Sequence, residues 1–268
     1  MVGNLSLLAR VFGRPQRSNE DESTIRRLSL TTFLAAIYAV GDVHGCLELY
    51  LALETKIIAD GAGTPGQKLI VLLGDIVDRG AQSAEMIEHL LQPTPAGFQR
   101  LTPMGNHEEM MLQFLNAPSS NMSWLGFGGR ETLLSYGMLP DAGLGFALSE
   151  TRLKQMSDVC ITQSHRTFLE QLPVSLSVGD YLFSHAGYDG TKPVADQKME
   201  DLLWGDPTLL DAQARLIHAV HGHIPVDKVL FTEARTDVDT GAYRSGKLSA
   251  VKITPGGALT IITSSGDN

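Results

Sequence analysis

Gly74-Asp-Ile-Val-Asp-Arg-Gly80 follows directly on Lys68-Leu-Ile-Val-Leu-Leu73. The apolar run has the character of a strand buried on both faces, as in the parallel sheets of α/β proteins. Two carboxylates, Asp75 and Asp78, and the Arg79 guanidinium stand where that strand should end. Glycines on either side let the backbone turn tightly. Ligands of open α/β sheets gather at such carboxyl ends. An Asp- and Gly-rich strand exit is also an ordinary solvated turn, so this stretch alone does not separate a site from a surface loop.

What separates them is recurrence. Phe33 to Val40 reads as the first core strand and runs into Gly41-Asp-Val-His-Gly45, after which Cys46 to Ala59 carries apolar residues at helical spacing. A turn (Gly61 to Gly66) leads to the central strand. Ser83 suits the N-cap of a helix through Leu91, which Pro93 and Pro95 end. Phe98 to Met104 then arrives at Gly105-Asn-His-Glu-Glu109, and Met110 to Leu115 continues as a helix. Three units of strand, glycine-bounded polar turn and helix predict an α/β layered fold. Further on, the alternating segment Val174 to Phe183 delivers Ser184-His-Ala-Gly187, and Leu216 to Val220 delivers His221-Gly-His-Ile-Pro225. The tail from Val229 to Ile262 is rich in β-branched residues and turns, which predicts antiparallel strands.

Between these units, Ala117 to Leu172 holds Trp124, Gly126, Gly128 and Gly129 with helical patterns and no clear strand, and is expected to be a largely helical insertion or cap. The start divides into an apolar-basic stretch (Leu5 to Phe12) and a polar one (Arg14 to Arg27), read as a flexible extension or surface helix. The expected organisation is an extension over 1–35 and one domain over 36–262.

The 268 residues suffice for one large α/β domain, and 43% apolar with 19% charged residues is ordinary for a protein with a sizeable core. A net charge of −9 argues against a nucleic-acid-coating protein. The two cysteines, Cys46 and Cys160, are too few for a disulfide framework or a thiolate metal site. No apolar run is long enough to span a membrane, and the first residues lack the order of a signal peptide. A cytoplasmic protein without nucleic-acid or membrane partners is expected; oligomeric state is not legible.

The polar residues at the strand exits are Asp42, His44, Asp75, Asn106, His107, His185 and His223. Carboxylates, a carboxamide oxygen and imidazoles without thiolates form a ligand set for Mn, Fe, Zn or Co. Six or seven such groups exceed the needs of one tetrahedral ion. They suit two ions sharing a carboxylate, and Asp75 on the middle strand is the natural bridge. Two cations about 4 Å apart can acidify a water and clamp phosphate oxygens. Of the other histidines, His89, His165 and His218 are expected on helices, and His221 in a structural role.

The series Gly41-Asp-Val-His-Gly45, Gly74-Asp-Ile-Val-Asp-Arg-Gly80 and Gly105-Asn-His-Glu108, with the later histidines, resembles the calcineurin-like metallophosphoesterases. It is most similar to the bacterial and phage branch of the phosphoprotein phosphatases. Further likenesses are Trp124 with Gly128-Gly-Arg-Glu-Thr-Leu133 and Ser135-Tyr-Gly137, Asp201-Leu-Leu-Trp204, and Asp239-Thr-Gly-Ala-Tyr243 with Ser245-Gly-Lys-Leu248. The resemblance covers roughly 37–262 and implies a β-sandwich of two mixed sheets flanked by helices.

It also implies roles. One metal would be held by Asp42, His44 and Asp75, the other by Asp75, Asn106, His185 and His223. A hydroxide bridging them would attack phosphorus in line with the leaving oxygen. His107 would protonate that oxygen, with Asp78 orienting its ring. Arg79, with Asn106, would bind phosphate, and Glu108 would support the site or the helix start. Two divalent ions are implied, Mn foremost in vitro, with Fe and Zn also acceptable. The implied substrates are phosphomonoesters, including phosphoserine and phosphothreonine in proteins. The alternative is symmetrical cleavage of dinucleoside tetraphosphates, a branch that usually differs after the second motif, where this chain keeps V-D-R-G. An inactive metal-binding scaffold is disfavoured, because every ligand and His107 are present. One departure stands out: the family commonly has W-I-R where this chain has Trp204-Gly205-Asp206, leaving Arg130, Arg215 or Arg244 as substitutes for the missing phosphate-binding arginine.

Overall fold

The computed structural model describes residues 26–138, 150–213 and 217–265. The apolar-basic and polar stretches at the start, up to residue 25, lie outside them, as does Arg215.

Eleven strands form two mixed sheets among the described residues. At the centre of the first are β2 (Ala36–Val40) and β3 (Lys68–Leu72), paired in parallel. β3 pairs in parallel with β4 (Phe98–Leu101), while β10 (Ser249–Ile253) runs antiparallel to β2 and β11 (Leu259–Thr263) antiparallel to β10. The second sheet has the order β1-β5-β6-β7-β9-β8, with β1 Arg27–Leu30, β5 Ser175–Val178, β6 Tyr181–Ser184, β7 His218–His221, β8 Leu230–Phe231 and β9 Arg235–Asp237.

The period-2 alternation of β2 and β3 explains the layering. Ile37, Ala39, Leu69 and Val71 face one way and pack with Leu176, Val178, Phe183, Val220 and Val251, so this core joins the two sheets. Ala36, Tyr38, Ile70 and Leu72 face the other way, against helices α1 (Leu47–Gly61), α2 (Ser83–Leu91) and α3 (Asn106–Asn116). With both faces covered, both strands read as unbroken apolar runs. The expected sandwich of two mixed sheets flanked by helices is the observed architecture.

The span expected to be a helical insertion contains two 3₁₀ turns (Pro118–Ser120 and Met122–Phe127) and helices α4 (Gly129–Ser135), α5 (Glu150–Cys160) and α6 (Gln163–Glu170). Its residues 139–149 lie outside the described set. The α7 turn (Met199–Leu203) and α8 turn (Ala242–Ser245) complete the helices.

Several expectations need correction. Arg27–Leu30, read as part of an extension, is a strand that pairs in parallel with β5, because alternation of Leu28 and Leu30 is too short to register in a polar context. His218, expected on a helix, begins β7 and bonds Thr236 Oγ1 through Nε2 at 2.9 Å. Val174 to Phe183 is a hairpin: Gly179, at φ 55°, turns the chain between β5 and β6. Ser83 does not cap α2; Gln82 takes the N-cap position, and the Ser83 hydroxyl accepts the Asp78 N–H at 3.1 Å instead. Helix α3 starts at Asn106 and not at Met110, since the Glu108 side chain folds back on the Gly105 N–H at 2.8 Å.

Candidate active site

The exits of β2, β3, β6 and β7 and the start of α3 bring Asp42, His44, Asp75, Asn106, His107, His185 and His223 to one end of the two sheets, all seven buried but for His223. His44 Nε2 lies 3.5 Å from Asp75 Oδ2, and His185 Nε2 lies 3.4 Å from the same oxygen. His185 Nε2 also meets Asn106 Oδ1 at 2.7 Å and His223 Nδ1 at 3.1 Å. Asp42 accepts the His223 N–H at 3.1 Å, linking the first motif to the last. Two groups of ligand atoms, each within 4.8 Å of one another, share Asp75: His44 with His107, and Asp42 with His185.

The tautomers are set from behind. Nδ1 of His44 donates to the Val77 carbonyl at 2.9 Å, and Nδ1 of His185 to the Leu73 carbonyl at 2.9 Å, which leaves both Nε2 lone pairs facing Asp75. Burial pushes His44 down to about 3 and His223 to about 4, and lowers His185, so these rings are neutral donors. Asp42 is the counterpart: burial, then the Asp239 and Asp75 carboxylates, push it well above the ordinary range. Burial also leads for Asp239, lifted to about 6, with Asp75 adding and the Gly241 N–H, Arg79 and Arg244 opposing. Neutral imidazoles and crowded buried carboxylates are a donor set that fits divalent cations, whose charge would offset this repulsion.

His107 differs from the other histidines. Its Nδ1 is 2.6 Å from Asp78 Oδ2, while its Nε2 lies 3.8 Å from Asp75 and 3.2 Å from Arg79 Nη2. Asp78 is fully buried and accepts from Trp124 Nε1 at 2.7 Å and Thr132 Oγ1 at 2.6 Å. The insertion thus fixes the carboxylate that fixes His107. Trp124 and Thr132 fall within the family likeness of the sequence but carry no role there; an indole and a hydroxyl give no spacing signal for a partner so distant in the chain.

Backbone conformation is unusual here. Five non-glycine residues among the described set have positive φ: His44, Asp75, Asp78, Arg79 and His223. Each costs about 1–3 kcal/mol and persists only where its surroundings hold it. For Asp75 the holder is Glu108, whose carboxylate accepts the N–H groups of Asp75 (2.8 Å), Ile76 (2.9 Å) and Val77 (3.2 Å) besides that of Gly105. Burial, then Asp75, push the Glu108 carboxyl up to about 7 while these N–H groups pull it down. Gly105 is required beside it, because a Cβ there would run into Asp75 Oδ1.

The position after Trp204 holds no guanidinium. Gly205 packs on the Asp201 carbonyl, and Asp206 caps the following 3₁₀ turn through Thr208. Trp204 donates instead to Glu109 Oε2 at 2.6 Å. Of the proposed substitutes, Arg130 lies in the first turn of α4, and Arg244 stands on α8 within electrostatic reach of Asp239.

The family model for the calcineurin-like phosphoesterases matches residues 35–251. The chain belongs to that family. Its members act on phosphoesters with divalent metals. The chain is similar to serine/threonine-protein phosphatase 2 of Salmonella typhimurium, with 27% identity over 226 residues covering 81% of this chain and 92% of that protein. It is also similar to the asymmetrical bis(5'-nucleosyl)-tetraphosphatase PrpE of Bacillus thuringiensis, with 26% identity over 237 residues covering 80% and 88%. A solved structure provisionally assigned as a diadenosine tetraphosphatase shares the fold at a TM-score of 0.60 and 17% identity, covering 91% of this chain and all of that one. No helix among the described residues is long and apolar enough to cross a membrane.

Proposed function

We propose that this metallophosphoesterase hydrolyses phosphomonoesters at a centre of two divalent ions, with phosphoserine and phosphothreonine in proteins as the substrate class. The observation that carries the reading is the convergence of two groups of buried ligand atoms on Asp75, His44 with His107 and Asp42 with His185, with Asp78 and Arg79 against His107. Asp42, His44 and Asp75 would hold one ion, and Asp75, Asn106, His185 and His223 the other. When bound, the ions supply an acidified water and positive charge for the phosphate oxygens. Mn is the ion expected to support turnover best in vitro, although Fe and Zn suit the same donors.

The chain's own groups do the rest. Arg79 offers forked N–H donors to two phosphate oxygens, and Asn106 offers its carboxamide N–H. His107 Nε2 accepts from Arg79 Nη2 at 3.2 Å in this structure; once protonated, the same nitrogen would donate to the leaving oxygen and release its proton there. Asp78 keeps the opposite nitrogen occupied, so the proton is delivered from one side only.

A second reading has support in the tetraphosphatase relatives. Those relatives are named asymmetrical, whereas the sequence alone had suggested symmetrical cleavage. The distinction lies in the products: a nucleoside triphosphate and a monophosphate from asymmetrical attack, two diphosphates from symmetrical attack. The test is a panel of an aryl phosphate, a phosphothreonine peptide and a dinucleoside tetraphosphate, compared by kcat/KM on Mn-loaded protein with products identified. A lead for the peptide supports the phosphatase reading. A lead of orders of magnitude for the dinucleotide overturns it, and its products name the cleavage.

A further inference from the structure

We propose that Tyr243 is a positioning residue that holds the Arg79 guanidinium at the phosphate-binding face of the site by stacking. The inference rests on the phosphoesterase reading above and deepens it. Arg79 Cζ lies 4.6 Å from the centroid of the Tyr243 ring. The ring also meets a candidate metal ligand: His44 lies edge-on to it, with centroids 5.3 Å apart and planes at 84°. Arg79 is in none of the ion pairs among the described residues, and its side chain's hydrogen-bond neighbour there is His107.

Asp239 acts on Arg79 only through space, and this absence of a carboxylate at ion-pair distance among the described residues has a chemical consequence. A carboxylate that fixed Arg79 would occupy the same forked donors that a phosphate needs. An aromatic face attracts the cation from above its plane and leaves the in-plane N–H groups open. Tyr243 therefore fixes the guanidinium without competing with substrate. Positioning matters here because Arg79 has a long side chain, and the backbone beneath it is at φ 67°, held by the Gly128 carbonyl at 3.3 Å. With no guanidinium after Trp204, Arg79 carries more of the phosphate contact, so its placement counts for more.

The ring is delivered by a short, well-braced turn. Helix α8 is bounded by Gly241 and Gly246, both left-handed, and the Gly241 N–H is held by Asp239 Oδ1 at 2.7 Å. The Thr240 hydroxyl ties the same turn to Ser249 of β10 at 2.9 Å. Tyr243 is 38% exposed, so the ring borders solvent at the mouth of the site and is not packed in the core. No hydrogen bond engages its hydroxyl among the described residues, which leaves the ring itself as the functional part.

The test is a double-mutant cycle on Mn-loaded full-length protein with Tyr243→Leu, Arg79→Ala and the double variant, and with Tyr243→Phe as the conservative control. Readouts are kcat and KM for an aryl phosphate and the binding of inorganic phosphate by calorimetry. Tyr243→Leu is expected to weaken kcat/KM and phosphate binding by about tenfold, and Phe to recover most of that loss. In the Arg79→Ala background the Leu substitution should add little. An equal loss in both backgrounds, or a Phe variant as poor as Leu, overturns the proposal. So does a Tyr243→Leu variant that binds phosphate as the parent does. Phosphate binding does not depend on turnover, so failure of the phosphatase reading and failure of this proposal give different results.

Discussion

Asp78 Oδ2 lies 2.6 Å from His107 Nδ1, and the same oxygen accepts the Trp124 indole N–H at 2.7 Å. The proposed proton-donating pair is thus a trio in contact, with its third member supplied by the insertion. Asp78→Asn keeps the shape but offers an N–H or a weaker acceptor to His107. It is expected to lower kcat by about 10²–10³-fold with a small change in KM. Trp124→Phe leaves the carboxylate its other partners and is expected to cost about tenfold in kcat. Steady-state kinetics of the two variants check both.

Glu108 is expected to matter for stability more than for the chemical step. Glu108→Ala strands four buried backbone N–H groups around Asp75 and Gly105. Each stranded donor costs about 1–3 kcal/mol, so denaturant unfolding should show a loss of at least about 4 kcal/mol. Metal content should fall with it, because Asp75 loses the partner that holds its backbone at φ 48°.

Asp75 belongs to both ligand groups, and His185 to one. Metal analysis after reconstitution should therefore give two ions per chain for the parent protein and fewer than one for Asp75→Asn. His185→Asn should keep about one. Chelation should abolish turnover, with recovery on adding Mn.

A pH effect on stability is expected far from the site. Burial alone would raise Glu54, but hydrogen bonds from His89 (2.8 Å) and Arg100 (2.6 Å) outweigh it and hold the carboxyl at about 2. A depressed folded value means the contribution is fully present above the unfolded value of about 4.5. It is lost as pH falls towards 2. Glu54→Gln should destabilise the protein at pH 7 by about 2 kcal/mol and by much less near pH 2, measured by denaturant unfolding at both.

The central strand and the clustered polar residues at the strand exits were legible because they lie in contiguous motifs, each at the end of an apolar run. What was not legible depends on contacts across the chain. Trp124 and Thr132 reach Asp78 from 46 and 54 residues away, and no local pattern encodes that. Tyr243 lies in a motif the sequence shows, but its stacking on Arg79 depends on where the α8 turn places it. Local signals also misled where a side chain had a stronger partner: Ser83 reads as a cap, but its hydroxyl serves the Asp78 turn. His218 reads as a helix residue, yet it starts a strand whose pairing with β6 and β9 is set by distant segments. The left-handed conformations at His44, Asp75, Asp78, Arg79 and His223 have no sequence signature, since none of them is glycine.

The most direct test of the account is the response of His107→Asn to the leaving group. Mn-loaded parent and variant would be compared on an aryl phosphate with an acidic phenol and on an alkyl phosphate such as a phosphothreonine peptide. An acidic phenol departs without help, while an alkoxide needs a proton. If His107 supplies it, the variant should lose about tenfold or more beyond its aryl loss on the alkyl substrate. An equal loss on both would contradict the account, because His107 would then be acting on binding or metal placement and not on the leaving oxygen.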